Sequence, residues 1–174
     1  MKFSALSRML LLSALVMLGG CAQTGLRIAN NVTLCCPGNY NNYDDYGLQV
    51  RDMPLFLSSW VVDMFDQAFQ ERGMVRNDRM NDLIVTLSYK HVNLNPEQQD
   101  IDPFIRQEAI DTELRYIAVV EITMRETATG QVVWSGEVSR IHNVSPGEYM
   151  HEGRAREAFL ETFRDLLSKY PAKD

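Results

Sequence analysis

Three cysteines and three histidines hold most of the reactive chemistry available to this 174-residue chain: Cys21, the adjacent pair Cys35 and Cys36, and His91, His142 and His151. Neighbouring cysteines across a trans peptide have alpha carbons about 3.8 Å apart, whereas an ordinary disulfide holds them roughly 4.4 to 6.8 Å apart. A bond within the pair would therefore be strained and easily reduced. In an oxidising compartment Cys35 and Cys36 are candidates for that redox chemistry or for a disulfide to another chain; the plainer reading is two thiols in a surface loop. His151-Glu152 begins the pattern that places two zinc ligands one helical turn apart, but position 155 is Ala, so the second ligand is missing. His142 and His151 flank the turn Ser145-Pro146-Gly147-Glu148 and are read as surface residues. No Gly-x-Ser-x-Gly elbow, phosphate-cradling glycine loop or dinucleotide fingerprint occurs. Without a convergent catalytic set, the expectation is a protein that is not an enzyme and uses no metal or cofactor.

Cys21 belongs to a different chemistry. Lys2 and Arg8 precede a nearly unbroken apolar run from Met9 to Met17, which closes on small residues, the order of a secretory signal. The run is about half the roughly twenty residues needed to span a bilayer. Its end, Leu18-Gly19-Gly20-Cys21, resembles the bacterial lipobox. That resemblance implies cleavage before Cys21 and lipidation of its thiol and new N-terminus. Each buried methylene contributes about 0.8 kcal/mol, so two or three chains anchor almost permanently. By the same resemblance, Ala22 rather than Asp after the cysteine implies sorting to the outer membrane, on its periplasmic face.

Removing residues 1–20 leaves 15 basic against 23 acidic residues, a formal charge of −8. That balance excludes nucleic acid as a partner and gives no help in docking on anionic lipid headgroups. The membrane contact is then expected to run through the lipid alone.

Residues 21–47 are turn-prone and polar and are expected to form a lipidated, flexible tether, spanning roughly 25 to 30 Å as a coil. Leu26, Ile28, Val32 and Leu34 hint at a short strand inside it, and Tyr40, Tyr43 and Tyr46, spaced by three, are expected to pack on the domain that follows. Residues 48–174 are expected to be that single domain. Leu48 to Met53 reads as a strand, and Trp60, Val61, Met64, Phe65, Ala68 and Phe69 as the apolar stripe of a helix stopped by Gly73. Alternation over 83–90, 115–125 and 131–141 predicts three strands, the last two joined as a hairpin through Thr127-Ala128-Thr129-Gly130. Between them, residues 93–112 carry Pro96, Pro103 and five acids, and read as a solvated loop. A second amphipathic helix, starting near Ser145, carries Ala155, Phe159, Phe163, Leu166 and Leu167. A sheet with one apolar face and two amphipathic helices predicts an α+β two-layer domain, a mainly antiparallel sheet with both helices on one face.

The stretch Asn81-Asp82-Leu83-Ile84-Val85-Thr86-Leu87, followed by Thr129-Gly130-Gln131-Val132-Val133-Trp134-Ser135-Gly136, resembles small proteobacterial outer-membrane lipoproteins of uncharacterised function. The pattern covers residues 48 to 142 and is similar in outline to the N-terminal module of TolB and to lipoproteins that activate cell-wall synthases. It implies a helix-and-sheet module that works by binding an envelope protein. The expected function is thus a membrane-anchored periplasmic protein-binding or assembly module. The alternative is a carrier of a lipid or other apolar ligand held around Trp60, Phe65, Trp134 and Phe159.

Overall fold

The period-two pattern runs further in three dimensions than its clearest stretch. In a computed structural model, which describes residues 28–33, 38–98, 113–144 and 152–171, strand β4 extends over Leu83–Asn93, β5 over Leu114–Glu126 and β6 over Val132–Val144. Leu83, Val85, Leu87 and Tyr89 of β4 are buried while Ile84, Thr86 and Ser88 between them are half-exposed. The expected hairpin is present: β5 and β6 pair antiparallel from Leu114↔Val144 to Arg125↔Val132, with an irregularity after Met124. Its turn closes through Gly130, whose φ of +71° is a left-handed conformation that a side chain would strain.

Three further strands complete the sheet. β1 (Ile28–Thr33) pairs antiparallel with β6, β2 (Asp45–Arg51) pairs parallel with β4, and β3 (Val75–Arg76) pairs parallel with β2. The order is β1-β6-β5-β4-β2-β3. Only the two pairings of β2 are parallel, because β2 returns to the sheet through a helix, α1 (Leu55–Gln70), and not through a tight turn. The sheet is mostly antiparallel and the domain is α+β, as the alternation and stripes predict.

Residues 28–33 and 38–47 correct the expected tether. β1 forms an edge of the sheet, β2 begins at Asp45, and Tyr43 and Tyr46 are buried in the core. Asn- and Asp-rich sequence conceals this, since the aromatic rings that anchor the segment are spaced by turns and not by a helix or strand period. The phenol of Tyr40 donates to the carbonyl of Val133, and its ring meets those of Tyr43 and Tyr170 edge-on at 6.0 and 5.3 Å.

Both helices cover one face. α1 buries Leu57, Val61, Met64, Phe65, Ala68 and Phe69 and is followed by a turn that closes at Gly73, with φ of +83°, after which Met74 returns to the core. The second helix, α2 (Glu152–Leu167), buries Phe163, Leu166 and Leu167. The helices run parallel, packed through Phe65 and Phe163, and two exposed ion pairs bridge them in step, Arg156 with Asp63 at 3.7 Å and Arg164 with Glu71 at 2.6 Å. Their C-terminal ends meet the Trp134 end of the sheet, where the Tyr170 ring lies 5.2 Å from Phe69 and 6.4 Å from Trp134.

Candidate functional site

The uncovered face of the sheet carries the residues of opposite phase. Glu121 lies directly across from Glu137 on β6, and Lys90 on β4 pairs with Glu121. Like charges on facing positions repel, and the ammonium of Lys90 offsets part of that cost. Two rows further along the same face, past the row of Lys90, buried Val119 and Ser139, Val92, Ile117 and Ile141 are in register across β4, β5 and β6. Val92 is 54% exposed and Ile141 46%, with Ile117 half-buried between them. The face is therefore not simply polar, as its short hydroxyl residues suggest. It combines an acidic row with an exposed apolar one, and among the described residues β1 at its margin has a strand on one side only. An edge of that kind presents backbone groups that another chain can pair with.

The covered face changes character along its length. At the Trp134 end it is filled with apolar rings, but the same phase of the three long strands ends in Tyr89, His91 and Asn93 on β4, Tyr116 and Ala118 on β5, and Arg140 and His142 on β6. The register aligns His91, Ala118 and Arg140 in one row and Asn93, Tyr116 and His142 in the next. The His142 ring stacks on Tyr116, with centroids 5.0 Å apart and planes 10° apart, and His91 meets the other side of the group at 6.4 Å, nearly perpendicular. His142 is thus no ordinary surface residue. Burial, with a smaller contribution from the Arg140 charge, pushes its imidazole down to about 4, so the ring is neutral near pH 7. Burial also lowers the guanidinium of Arg140 from its usual range. The Nε of Arg140 is buried and has no acceptor among the described residues.

This cluster was legible in principle. A strand that alternates Trp134, Gly136, Val138 on its apolar phase should not continue with Arg140 and His142 unless that end of the face does something other than pack.

Other candidates stand apart from it. Cys21, Cys35, Cys36 and His151 lie outside the described residues, as does 99–112 of the acidic loop. Of the rest of that loop, the side-chain amide of Asn93 donates to the carbonyl of Gln98. Among the described residues no three His, Cys, Asp or Glu side chains converge as metal ligands. Of the residues expected around an apolar ligand, Trp60 and Phe159 are partly buried and pack against the core. Phe65 and Trp134 are fully buried, and Phe163 fills the space between Phe65 and Phe159 at ring distances of 5.6 and 5.9 Å.

The two quoted motifs serve the fold. Asp82 binds backbone N–H groups of residues 44 and 45, and Asn81 lies over Gly47, where an added Cβ would meet its amide nitrogen at 2.6 Å. In Trp134-Ser135-Gly136 the indole lies against Gly136, so that any side chain there would collide with it.

No family model matches the sequence, and no curated protein matches it either. Solved structures do. The PelC dodecamer of Paraburkholderia phytofirmans superposes with a TM-score of 0.51 at 9% identity, over 85% of this chain and 100% of that one. A PDZ domain protein of Parabacteroides distasonis gives a TM-score of 0.53 at 13% identity, over 86% of this chain and 36% of that one. A minor lipoprotein of Acinetobacter baumannii is a looser neighbour, with a TM-score of 0.38 at 12% identity over 74% of this chain and 87% of that one. At these identities the likeness to the first two is a likeness of fold.

Proposed function

We propose that this chain is a lipoprotein of the cell envelope, anchored through Cys21 to the outer membrane on its periplasmic side, and that it acts as a non-enzymatic assembly module. The observation that carries the reading is the uncovered sheet face, with its apolar row of Val92, Ile117 and Ile141 beside the one-sided strand β1. Exposed apolar rows next to an open edge are what one protein uses to dock on another. The occupant we assign is another copy of this chain, supported by the dodecameric assembly of the PelC neighbour. Any further envelope partner would be recruited by that assembly.

The anchor supports the same reading. Cys21 and Ile28 are seven positions apart, a reach of at most about 25 Å for extended chain. Copies held that close to one membrane share its plane, and their effective concentration is raised accordingly. The carrier reading is disfavoured by the rings of Phe65, Phe159 and Phe163, which pack on each other where an apolar ligand would have to sit.

Chemical crosslinking in intact cells, followed by light scattering of the detergent-solubilised protein, tests the proposal. Oligomers of this chain are expected, and they should be lost on Ile141→Lys with the fold retained. A chain that stays monomeric in both measurements overturns it. Cys21→Ala should release the folded protein from the membrane fraction; persistence there would require another anchor.

A further inference from the structure

Arg140 is a cation placed on the covered face of a sheet in a chain of net charge −6. Its position in the β6 alternation, two residues after buried Val138, turns it towards the helix side. Its side chain is half-buried, and among the described residues its Nε has no acceptor and no carboxylate pairs with it. Partly desolvated charge without a counter-ion is unfavourable in the free protein, and an anion that supplies the missing charge and hydrogen bonds removes the penalty.

The surroundings fit such an anion. Ala118 separates Arg140 from His91 in the cross-strand row, so a methyl group stands where the neighbouring rows carry Val120 and Tyr116. The stacked Tyr116 and His142 rings form the wall on the next row. Both helices run from this end of the sheet towards the other, and so turn the positive ends of their dipoles to it. Because His142 is neutral near pH 7, Arg140 is the one cation on that row pair that is charged at every physiological pH. One permanent charge with a planar fork of donors suits a monoanionic carboxylate better than a phosphate dianion.

We propose that Arg140, beside the stacked Tyr116 and His142 rings and across Ala118 from His91, binds the carboxylate group of a ligand at the helix-side end of the sheet. The ligand is either a small free carboxylate or one carried on an acidic peptide chain. The site is on the opposite face from the assembly surface, so the two can fail separately.

The test uses the full lipidated chain in detergent. Thermal unfolding and the NMR signals of the His142 ring and Arg140 Nε are followed against acetate, inorganic phosphate and a short glutamate-rich peptide, with chloride at matched ionic strength. Acetate or the peptide is expected to raise Tm saturably and to shift both signals, since a ligand that binds only the folded state stabilises it. Acetate alone assigns a small carboxylate, and the peptide alone assigns a chain-borne one. Arg140→Gln should abolish the response and Arg140→Lys should weaken it at least tenfold. Without ligand, Arg140→Met should keep or raise Tm. Absence of any saturable carboxylate response, tighter binding of phosphate, an unchanged response in Arg140→Gln, or a large loss of Tm in Arg140→Met would each overturn the proposal.

Discussion

Asp45 and Asp82 hold each other's backbone: the Asp45 carboxylate accepts the N–H of Asp82 at 2.8 Å, and the Asp82 carboxylate accepts that of Asp45 at 3.3 Å and of Asp44 at 2.8 Å. Asn77 adds a donor to Asp45 at 3.0 Å, and the N–H of Thr127 donates to the Asp82 carbonyl at 2.8 Å. Thus one pair of carboxylates joins the start of β2 to the link from β3 to β4, and the main chain of Asp82 ties in the β5–β6 turn. Hydrogen bonds to charged groups contribute about 1.5 to 3 kcal/mol each when their loss strands a donor. Asp45→Ala and Asp82→Ala should each lower the unfolding free energy by about 2 kcal/mol, and the double variant by clearly less than the sum. Urea denaturation of the four proteins measures this; strict additivity would mean that the two carboxylates act independently.

The contact between Trp134 and Gly136 makes a sharper demand. A methyl group at 136 would collide with the indole and come within 3.2 Å of Leu166 of α2. Both neighbours are fully buried and have little room to move. Gly136→Ala should therefore cost about 1 to 3 kcal/mol, although alanine normally suits a strand at least as well as glycine. Equal Tm values for variant and wild type would show that the indole can rotate away.

For His142 the sign of the pH effect follows from its neutral, buried state. Its ionisation sits near 4 in the fold against about 6.5 in the unfolded chain. Between those values the unfolded state binds more protons, so stability is complete above about pH 6.5 and is lost as the pH falls towards 4. The loss is at most about 3 kcal/mol, reduced by the part of the ring still in contact with water. Among the described residues, Arg140, Tyr116 and, across Tyr116, His91 are the charged or titratable groups of its cluster. In urea titrations at pH 7 and pH 4.5, His142→Gln should lose markedly less stability than wild type. A parallel decline in both proteins would mean that His142 is protonated in the folded state.

Helix pairing depends on Phe163, which is fully buried and packed edge-on against Phe65 of α1. Truncating a ring in such a place removes its burial and leaves a cavity, together worth about 3 to 5 kcal/mol. Phe163→Ala should show that loss by calorimetry, whereas Glu161→Ala on the exposed side of α2 should stay near wild type.

Elements whose signal is carried by near neighbours are legible from the amino acids alone. The alternation around Leu83 to Tyr89 and Tyr116 to Met124, the stripe from Val61 to Phe69, and the Gly130 turn depend on side chains two to four positions apart, and they describe β4, β5, α1 and the hairpin with their buried faces. The pairings between distant segments emerge only once the chain is folded. β1 joins β6 from more than a hundred positions away, β2 pairs parallel with β4 across α1, and Tyr43 and Tyr46 enter the core from a stretch rich in Asn and Asp. The cluster around Arg140 has the same origin. His91, Tyr116 and His142 are far apart along the chain and meet only because register aligns the ends of three strands, and no local period encodes register between strands that have not yet been paired.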